Sequence, residues 1–373
     1  MSVSHRICLF LFLSCSALAL AQQNPAPAGA PGQPGAAQSS ASQAPGLAQR
    51  SASAPQAAEG RIHLDVVVTD TSGKPVSGLE LKDFTLLDNS LPAKILSFHA
   101  FDGALQKTGP PVEVIIAVDA LNDVHQQVAL VRQETEKFLR RNGGHLAQPV
   151  SIFLVTHEKV EVRRKPSVDG NALAGEVEKL DDRLREIRSS EGIYGSIERF
   201  QSSLKMLTAI ANAEAKKPGR KLLIWTSPGW PLLTSPNLDA TTKIDQQLFA
   251  SIVELSTLLR EARVSVYAIS SGVAGRGTFL YEGYLKGVKT PDKTNPANLG
   301  LRVLAIQSGG RVLGPDNDLA AQIDSCVQDA GAYYTLSFDP PRADRANEYH
   351  DLKVLVDKPN LTARTNTGYY NQP

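Results

Sequence analysis

The sequence predicts a doubly wound α/β domain inserted in a small β-sandwich-like domain, the latter formed by strands from both ends of the folded region. Three observations predict it. Between residues 112 and 330, short apolar runs alternate with segments of helical periodicity, the pattern of a parallel sheet covered by helices. Short strands with polar turns stand on either side of that stretch, three before and three after, and neither set alone can enclose a core. Finally, 42% of the 373 residues are hydrophobic and only three are cysteine, so apolar packing rather than a disulfide framework must hold the fold. The charges nearly cancel, with 39 Lys+Arg against 38 Asp+Glu and a net charge of +1, which excludes a nucleic-acid binder working through bulk charge.

The first residues read as an address. His5 and Arg6 precede an apolar run over residues 7–20 that ends Ala19-Leu20-Ala21, the form of a secretory signal peptide over residues 1–21. The run is shorter than the roughly 20 residues a membrane helix needs, so no transmembrane segment is expected in the mature chain. An uncleaved anchor and a lipid anchor on Cys15 are the alternatives. Cleavage would leave Cys326 as the single thiol, read as a small buried apolar residue. Residues 22–60 are a linker: all but Asn24, Leu47, Arg50 and Glu59 are Ala, Gly, Pro, Ser or Gln, too little apolar surface to offset the entropy of ordering.

The N-terminal β segment spans residues 61–105. Ile62, Leu64, Val66 and Val68 alternate with His63 and Asp65, residues 69–75 form a turn, and further strands are expected over 84–87 and 94–101. The α/β domain spans residues 112–330. Its first strand, 112–118, is nearly continuously apolar, as expected of a strand buried on both faces. A helix over 124–141 places Val128, Val131, Thr135, Phe138 and Leu139 on one side. Strands follow at 149–156, 221–226, 264–269 and 311–313, with an antiparallel neighbour at 160–164. Helices are expected at 173–187, 197–215, 244–263, 299–308 and 318–330. The C-terminal segment, residues 331–373, carries strands at 332–338, 351–356 and 361–365 that pack with residues 61–105. Ligands of a doubly wound sheet sit beyond the carboxyl ends of its strands, here after Val118, Val155, Trp225 and Ile269.

Three stretches resemble the von Willebrand factor A (VWA) superfamily, and more narrowly the VWFA-related proteins of acidobacterial type. The first is Val66-Val67-Val68-Thr69-Asp70 with Gly73, Pro75-Val76, Gly78-Leu79, Asp83-Phe84 and Asp88. The second is the apolar strand from Val114 ending in Val118-Asp119-Ala120-Leu121-Asn122-Asp123. The third runs from Tyr333-Tyr334-Thr335-Leu336 through Tyr349 to Gly368-Tyr369-Tyr370. Their order along the chain, more than any one motif, carries the resemblance.

It implies a divalent cation held by a D-x-S-x-S loop after the first strand, joined by a later Thr and an Asp after the fourth strand. Mg²⁺ favours such oxygen ligands. This chain departs from that pattern. Asp119 matches the first carboxylate, but Leu121 and Asp123 stand at the two Ser positions, Pro228 replaces the later Asp, and Ser189, Ser190 and Ser196 only approximate the Thr loop. The resemblance therefore implies a degenerate site: either Asp119, Asn122 and Asp123 hold Mg²⁺, Mn²⁺ or Ca²⁺, or Asp119 caps the following helix or bonds the neighbouring loops.

Catalytic patterns are absent. His157-Glu158 does not continue as H-E-x-x-H, Ser227 lies in T-S-P-G rather than a nucleophile elbow, and the histidines have no metal-ligand spacing. Gly272, Gly275 and Gly277 lack the Lys-Ser/Thr pair of a phosphate loop, and Arg163-Arg164-Lys165 reads as solvated edge protection. Trp225 is expected in the core. Trp230, on the loop after that strand, and Phe279, Tyr281 and Tyr284, in the long 271–298 segment, are the candidate partner contacts. The expectation is an exported, non-enzymatic binding protein with a protein partner in the envelope or outside the cell. A metal-dependent adhesion module and a hydrolase with an unrecognised site are the rivals.

Overall fold

The computed structural model describes residues 60–102, 112–156, 159–162, 165–179, 192–231, 242–272 and 281–373. Residues 1–59, which hold the expected leader and nearly all of the expected linker, lie outside these. The chain is of mixed α/β class, and residues 60–373 form one compact unit.

The unit opens with β1 (Ile62–Thr69), β2 (Phe84–Asp88), β3 (Leu91–Ala93) and β4 (Ser97–Asp102). The turn after β1 is set by Asp70, whose Oδ1 accepts from Ser72 N at 2.8 Å and Lys74 N at 3.0 Å. The α/β part follows: β5 (Val112–Asp119), α1 (His125–Leu139), β6 (His145–Val155), β7 (Val160–Val162), β8 (Ser167–Asp169), α2 (Gly170–Glu178), α3 (Gly192–Glu214), β9 (Arg220–Ser227), α4 (Thr242–Glu261), β10 (Val264–Ser270), α5 (Leu301–Gln307), β11 (Val312–Leu313) and α6 (Leu319–Val327). The chain ends with β12 (Ala332–Phe338), β13 (Glu348–Val356), β14 (Thr362–Arg364) and β15 (Gly368–Asn371). Among the described residues no helix is long and apolar enough to cross a membrane.

The largest sheet runs β11-β10-β9-β5-β6-β7, with β8 also paired to β6. Strands β6, β5, β9, β10 and β11 are parallel, while β7 and β8 join antiparallel. The alternation of a strand explains why β5 is apolar from Val114 to Val118. Val114, Ile116 and Val118 face a core shared with α1, α2 and α6, whereas Ile115 and Ala117 face one shared with α3, α4 and α5. On α1 the buried residues are Val128, Val131, Thr135, Phe138 and Leu139, the stripe expected from periodicity.

The end strands make two further sheets, β14-β1-β12-β4 and β15-β13-β2-β3. β1 pairs antiparallel with β12, Leu64 opposite Leu336, so strands far apart in sequence share one ladder. Leu64, Val66, Phe84, Leu86, Tyr334, Leu336, Phe338 and Val354 fill a common apolar cluster between the sheets. Their other faces merge with the helical part: Val67 and Tyr333 join the core beside α1, and Tyr349 and Tyr370 join the one beside α4.

A buried polar knot ties these parts together near the amino ends of β9 and β11. Asp329, wholly buried, accepts on Oδ2 from Arg364 Nη2 at 2.8 Å and Tyr267 OH at 2.9 Å, with Arg311 Nε 3.7 Å away. Arg220 donates to the Asp329 carbonyl at 2.7 Å and lies over the Tyr333 ring at 5.0 Å. Cys326, on the same helix face, is buried and free, and burial pushes its thiol up to about 12.

Three differences from the sequence expectations have simple causes. β3, β8 and β15 are strands of three or four residues, too short to show a period. α2 begins at Gly170, capped by Asp169 accepting from Ala172 N, and ends at Glu178; the rest of the expected helix falls outside the described residues. The 281–299 stretch folds as three short 3-10 turns instead of open loop.

Candidate functional site

The strand order places a switch point between β5 and β9, where connections leave in opposite directions. Crevices of open α/β sheets form outside the carboxyl ends at such points. β5 ends on Asp119 and β9 on Ser227.

Asp119 is 1% exposed. Its Oδ1 accepts from Leu121 N at 3.1 Å and Asn122 N at 3.0 Å, folding the loop into the approach to α1. Its Oδ2 accepts from Asn122 Nδ2 and from Trp225 Nε1, each at 2.9 Å. Burial pushes the carboxyl up from its ordinary value, against the hydrogen bonds of Trp225, Asn122 and Ser227 that pull it down. Asn122 also donates to Ser203 Oγ on α3 at 2.9 Å, while its Oδ1 is buried with no hydrogen-bond partner.

Asp123 lies one step further along. Its Oδ2 accepts from Ser271 Oγ at 2.5 Å, and Ser271 N donates to Ser227 O at 3.1 Å, so the loop after β10 is stitched to both neighbours. Gln127 Nε2 also donates to Ser271 O. Burial first, and the Asp119 charge to a lesser degree, raise the Asp123 carboxyl to about 6.

The turn after β9 is set by Gly229, whose φ of +113° is a conformation that favours glycine. Gly229 N donates to Ser227 Oγ at 3.2 Å. The turn delivers Trp230 edge-on to Trp225, with ring centroids 5.3 Å apart. Beside it opens a cleft of about 200 Å³ lined by Asn122, Arg199 of α3, Pro228, Trp230, Pro231 and the 300–303 segment, which includes Arg302 of α5.

The expected site residues therefore separate into groups. Asp119, Asn122 and Asp123 sit together, but only Asn122 reaches the cleft. Trp225 is core, as expected, at 0% exposure. Trp230 was expected on display. It is only 4% exposed, because packing against Trp225 draws its ring inward, and it forms a wall of the cleft. Tyr281 and Tyr284 bound a 3-10 turn, partly buried and away from the cleft lining. Phe279 lies outside the described residues, as do Gly275, Gly277, His157, Glu158, Arg163, Arg164, Ser189 and Ser190. Arg199 and Arg302 were not anticipated: single arginines on helices read as solvated surface, and no motif links two positions so far apart in sequence.

As a cation site the cluster is a poor fit. Four N–H groups already point at the two Asp119 oxygens, Leu121 supplies no oxygen, and Asp123 is drawn toward its neutral form near pH 6. Among the described residues no group of three or more His, Cys, Asp or Glu converges.

No family model matches the chain, and no curated protein matches it. Among solved structures it is similar to proximal thread matrix protein 1 from the mussel byssus, with 13% identity over 64% of this chain and 49% of that one, at a TM-score of 0.34. The chain thus spans about half the length of the mussel protein. A second likeness is to the N-terminal domain of TFIIH p34, with 10% identity over 57% of this chain and 95% of that one, TM-score 0.31. A third is to the pilus adhesin SpaC from Lactobacillus rhamnosus GG, with 10% identity over 79% and 43%, TM-score 0.33. At these scores the likenesses carry no argument about what this chain does.

Proposed function

We propose that the protein is an exported, non-enzymatic binding module, with residues 112–330 as a VWA-like domain set into a β-sandwich-like domain of both chain ends. It would meet a protein partner with the carboxyl ends of its parallel strands. Two features support the fold reading: the sequence resemblance, and a strand order that, counted along the α/β segment with the off-path β8 left out, runs 3-2-1-4-5-6 with an antiparallel edge.

The observation that carries the functional reading is the state of Asp119. It is the acidic group placed where such a sheet does its work, and both its oxygens are engaged by the protein's own donors. It shapes a surface instead of offering itself as a base, a nucleophile or a metal ligand. The rival, a divalent-metal-dependent adhesion module using Asp119, Asn122 and Asp123, is favoured by one fact, the unpartnered Asn122 Oδ1.

The test is affinity capture by the full-length chain from envelope and secreted fractions. Val124, 70% exposed at the rim of this face, is the probe. Val124→Arg should abolish capture of a specific partner, and EDTA should leave it intact. Capture indifferent to Val124→Arg, or no specific capture, would overturn the reading. Capture lost in EDTA and restored by millimolar Mg²⁺, Mn²⁺ or Ca²⁺ would favour the metal-dependent rival.

A further inference from the structure

We propose that the cleft beside Trp230 binds an acidic peptide side chain directly, its carboxylate held by Arg302 without a bridging metal ion. The proposal rests on the reading of this face as the binding surface and narrows its ligand to a carboxylate-bearing peptide.

The charge of the cleft is the first argument. Two guanidinium groups line it and no carboxylate does. Asp119 turns its oxygens toward Leu121, Asn122 and Trp225. Arg302 is partly buried, and among the described residues it has no hydrogen-bond or ion-pair partner. Arg199, by contrast, is already engaged: it donates to Ser196 Oγ at 3.5 Å and has a further partner, so it adds positive charge to the wall while Arg302 supplies the open fork. A guanidinium partly withdrawn from water, with its planar fork of donors, is suited to a carboxylate.

Unsatisfied atoms give the second argument. Trp230 is 4% exposed and its indole Nε1 has no acceptor. Asn122 Oδ1 is buried with no donor. Buried polar atoms are nearly always paired, so an orphan of each kind on residues lining one cleft points to a ligand that brings both an acceptor and an N–H. A peptide carrying an acidic side chain brings both. A simple carboxylate brings only the acceptor.

Size and lining complete the case. About 200 Å³ is below the range of nucleotide-sized pockets and suits one side chain with its flanking amide. Pro228, Pro231, Leu301 and Val303 supply apolar walls, which strengthen a charge-assisted bond by keeping water out.

The molecule carries its own reporter. Its two tryptophans are Trp225 and Trp230, in edge contact at the cleft. The full-length chain would be titrated in EDTA with acetyl-Gly-Glu-Gly-amide and with its Gln counterpart, following tryptophan emission. The Glu peptide should give a saturable change, with the Gln peptide and propionate each at least about tenfold weaker. Arg302→Ala should weaken Glu-peptide binding by about tenfold or more, and Arg302→Lys by less, because charge survives but the fork does not. Circular dichroism would establish that both variants fold; if Arg302→Ala does not, Arg302→Lys and the Glu/Gln contrast on the unaltered chain decide.

Equal binding of the Glu and Gln peptides, no binding of either, or an unchanged affinity in Arg302→Ala would overturn the proposal. Phosphate or propionate competing as well as the Glu peptide would overturn the peptide assignment. Partner capture that Val124→Arg abolishes, alongside a cleft indifferent to the Glu peptide, would sink this proposal and leave the binding-module reading standing. A cleft that takes the Glu peptide while no partner is captured would do the reverse.

Discussion

Two carboxylates buried toward opposite ends of the parallel sheet, Asp329 and Asp119, are held by opposite means. Toward the amino end Asp329, 0% exposed, meets cations and a hydroxyl: Arg364 at 2.8 Å, Arg311 at 3.7 Å and Tyr267 at 2.9 Å. At the carboxyl end Asp119, 1% exposed, meets backbone amides, an amide side chain and an indole. The first arrangement cancels charge and joins distant strands, since Arg364 comes from β14 and Asp329 from the segment after α6. The second leaves its arginines unneutralised by Asp119 and bends a loop. One end is a joint, and the other is a surface with Arg302 still available to a ligand.

The largest test of that contrast is Asp329→Ala. It strands Arg364, Arg311 and the Tyr267 hydroxyl, whereas Arg220 keeps the backbone carbonyl it bonds, and removing one partner of a buried charge cluster costs about 3–5 kcal/mol. Urea unfolding should register a loss of that size; a loss under about 1 kcal/mol would break the comparison. Asp119→Ala should cost less, about 1–3 kcal/mol, because the groups it strands are neutral donors. Equal losses in the two variants would mean that the two ends differ in chemistry without differing in energetics.

Acid response sharpens the picture at the carboxyl end. The Asp123 carboxyl is raised from 3.8 to about 6, so the folded chain holds a proton that the unfolded chain releases between those values. The stability this group contributes is greatest at low pH, declines as pH climbs from 3.8 to about 6, and levels off above. Asp123→Asn keeps an acceptor for Ser271 and removes the ionisation. It should erase that slope and raise the melting temperature at pH 7. An unchanged slope would show that Asp123 is more solvated than its neighbours imply.

The smallest effect concerns Cys326, which should resist thiol reagents in the native chain. Its labelling should quicken in Asp329→Ala, where the nearby joint is broken. It should stay slow in Asp119→Ala.

The two ends also differ in how far they can be read from the sequence. Apart from Glu113, residues 112–118 are apolar on both faces and announce a central parallel strand, and the stripe Val128, Val131, Thr135, Phe138 and Leu139 announces a covering helix. Asp119 is legible because a carboxylate closing such a run falls at the ligand end of the sheet. The cleft is not legible. Arg199 and Arg302 sit on α3 and α5, and only the closure of those helices around the Pro228–Gly229 turn brings them to one cavity. Trp230 could be placed on the correct loop, but its inward turn depends on the edge of Trp225, a contact no periodicity encodes. The Asp329 joint was equally hidden, since its partners come from β9, β10, β14 and the residue before β11.

Asp102 and Ala332 face each other across β4 and β12. In kinetic terms the whole intervening stretch is one loop tied off at a single rung. Closing a flexible loop of that length costs on the order of 5 kcal/mol in chain entropy. Once the α/β segment has collapsed on itself, its two ends are already neighbours and most of that cost has been met. The order of assembly follows: the parallel sheet and its helices form first, and the β1-β12-β4 ladder zips last as the slow, long-range step.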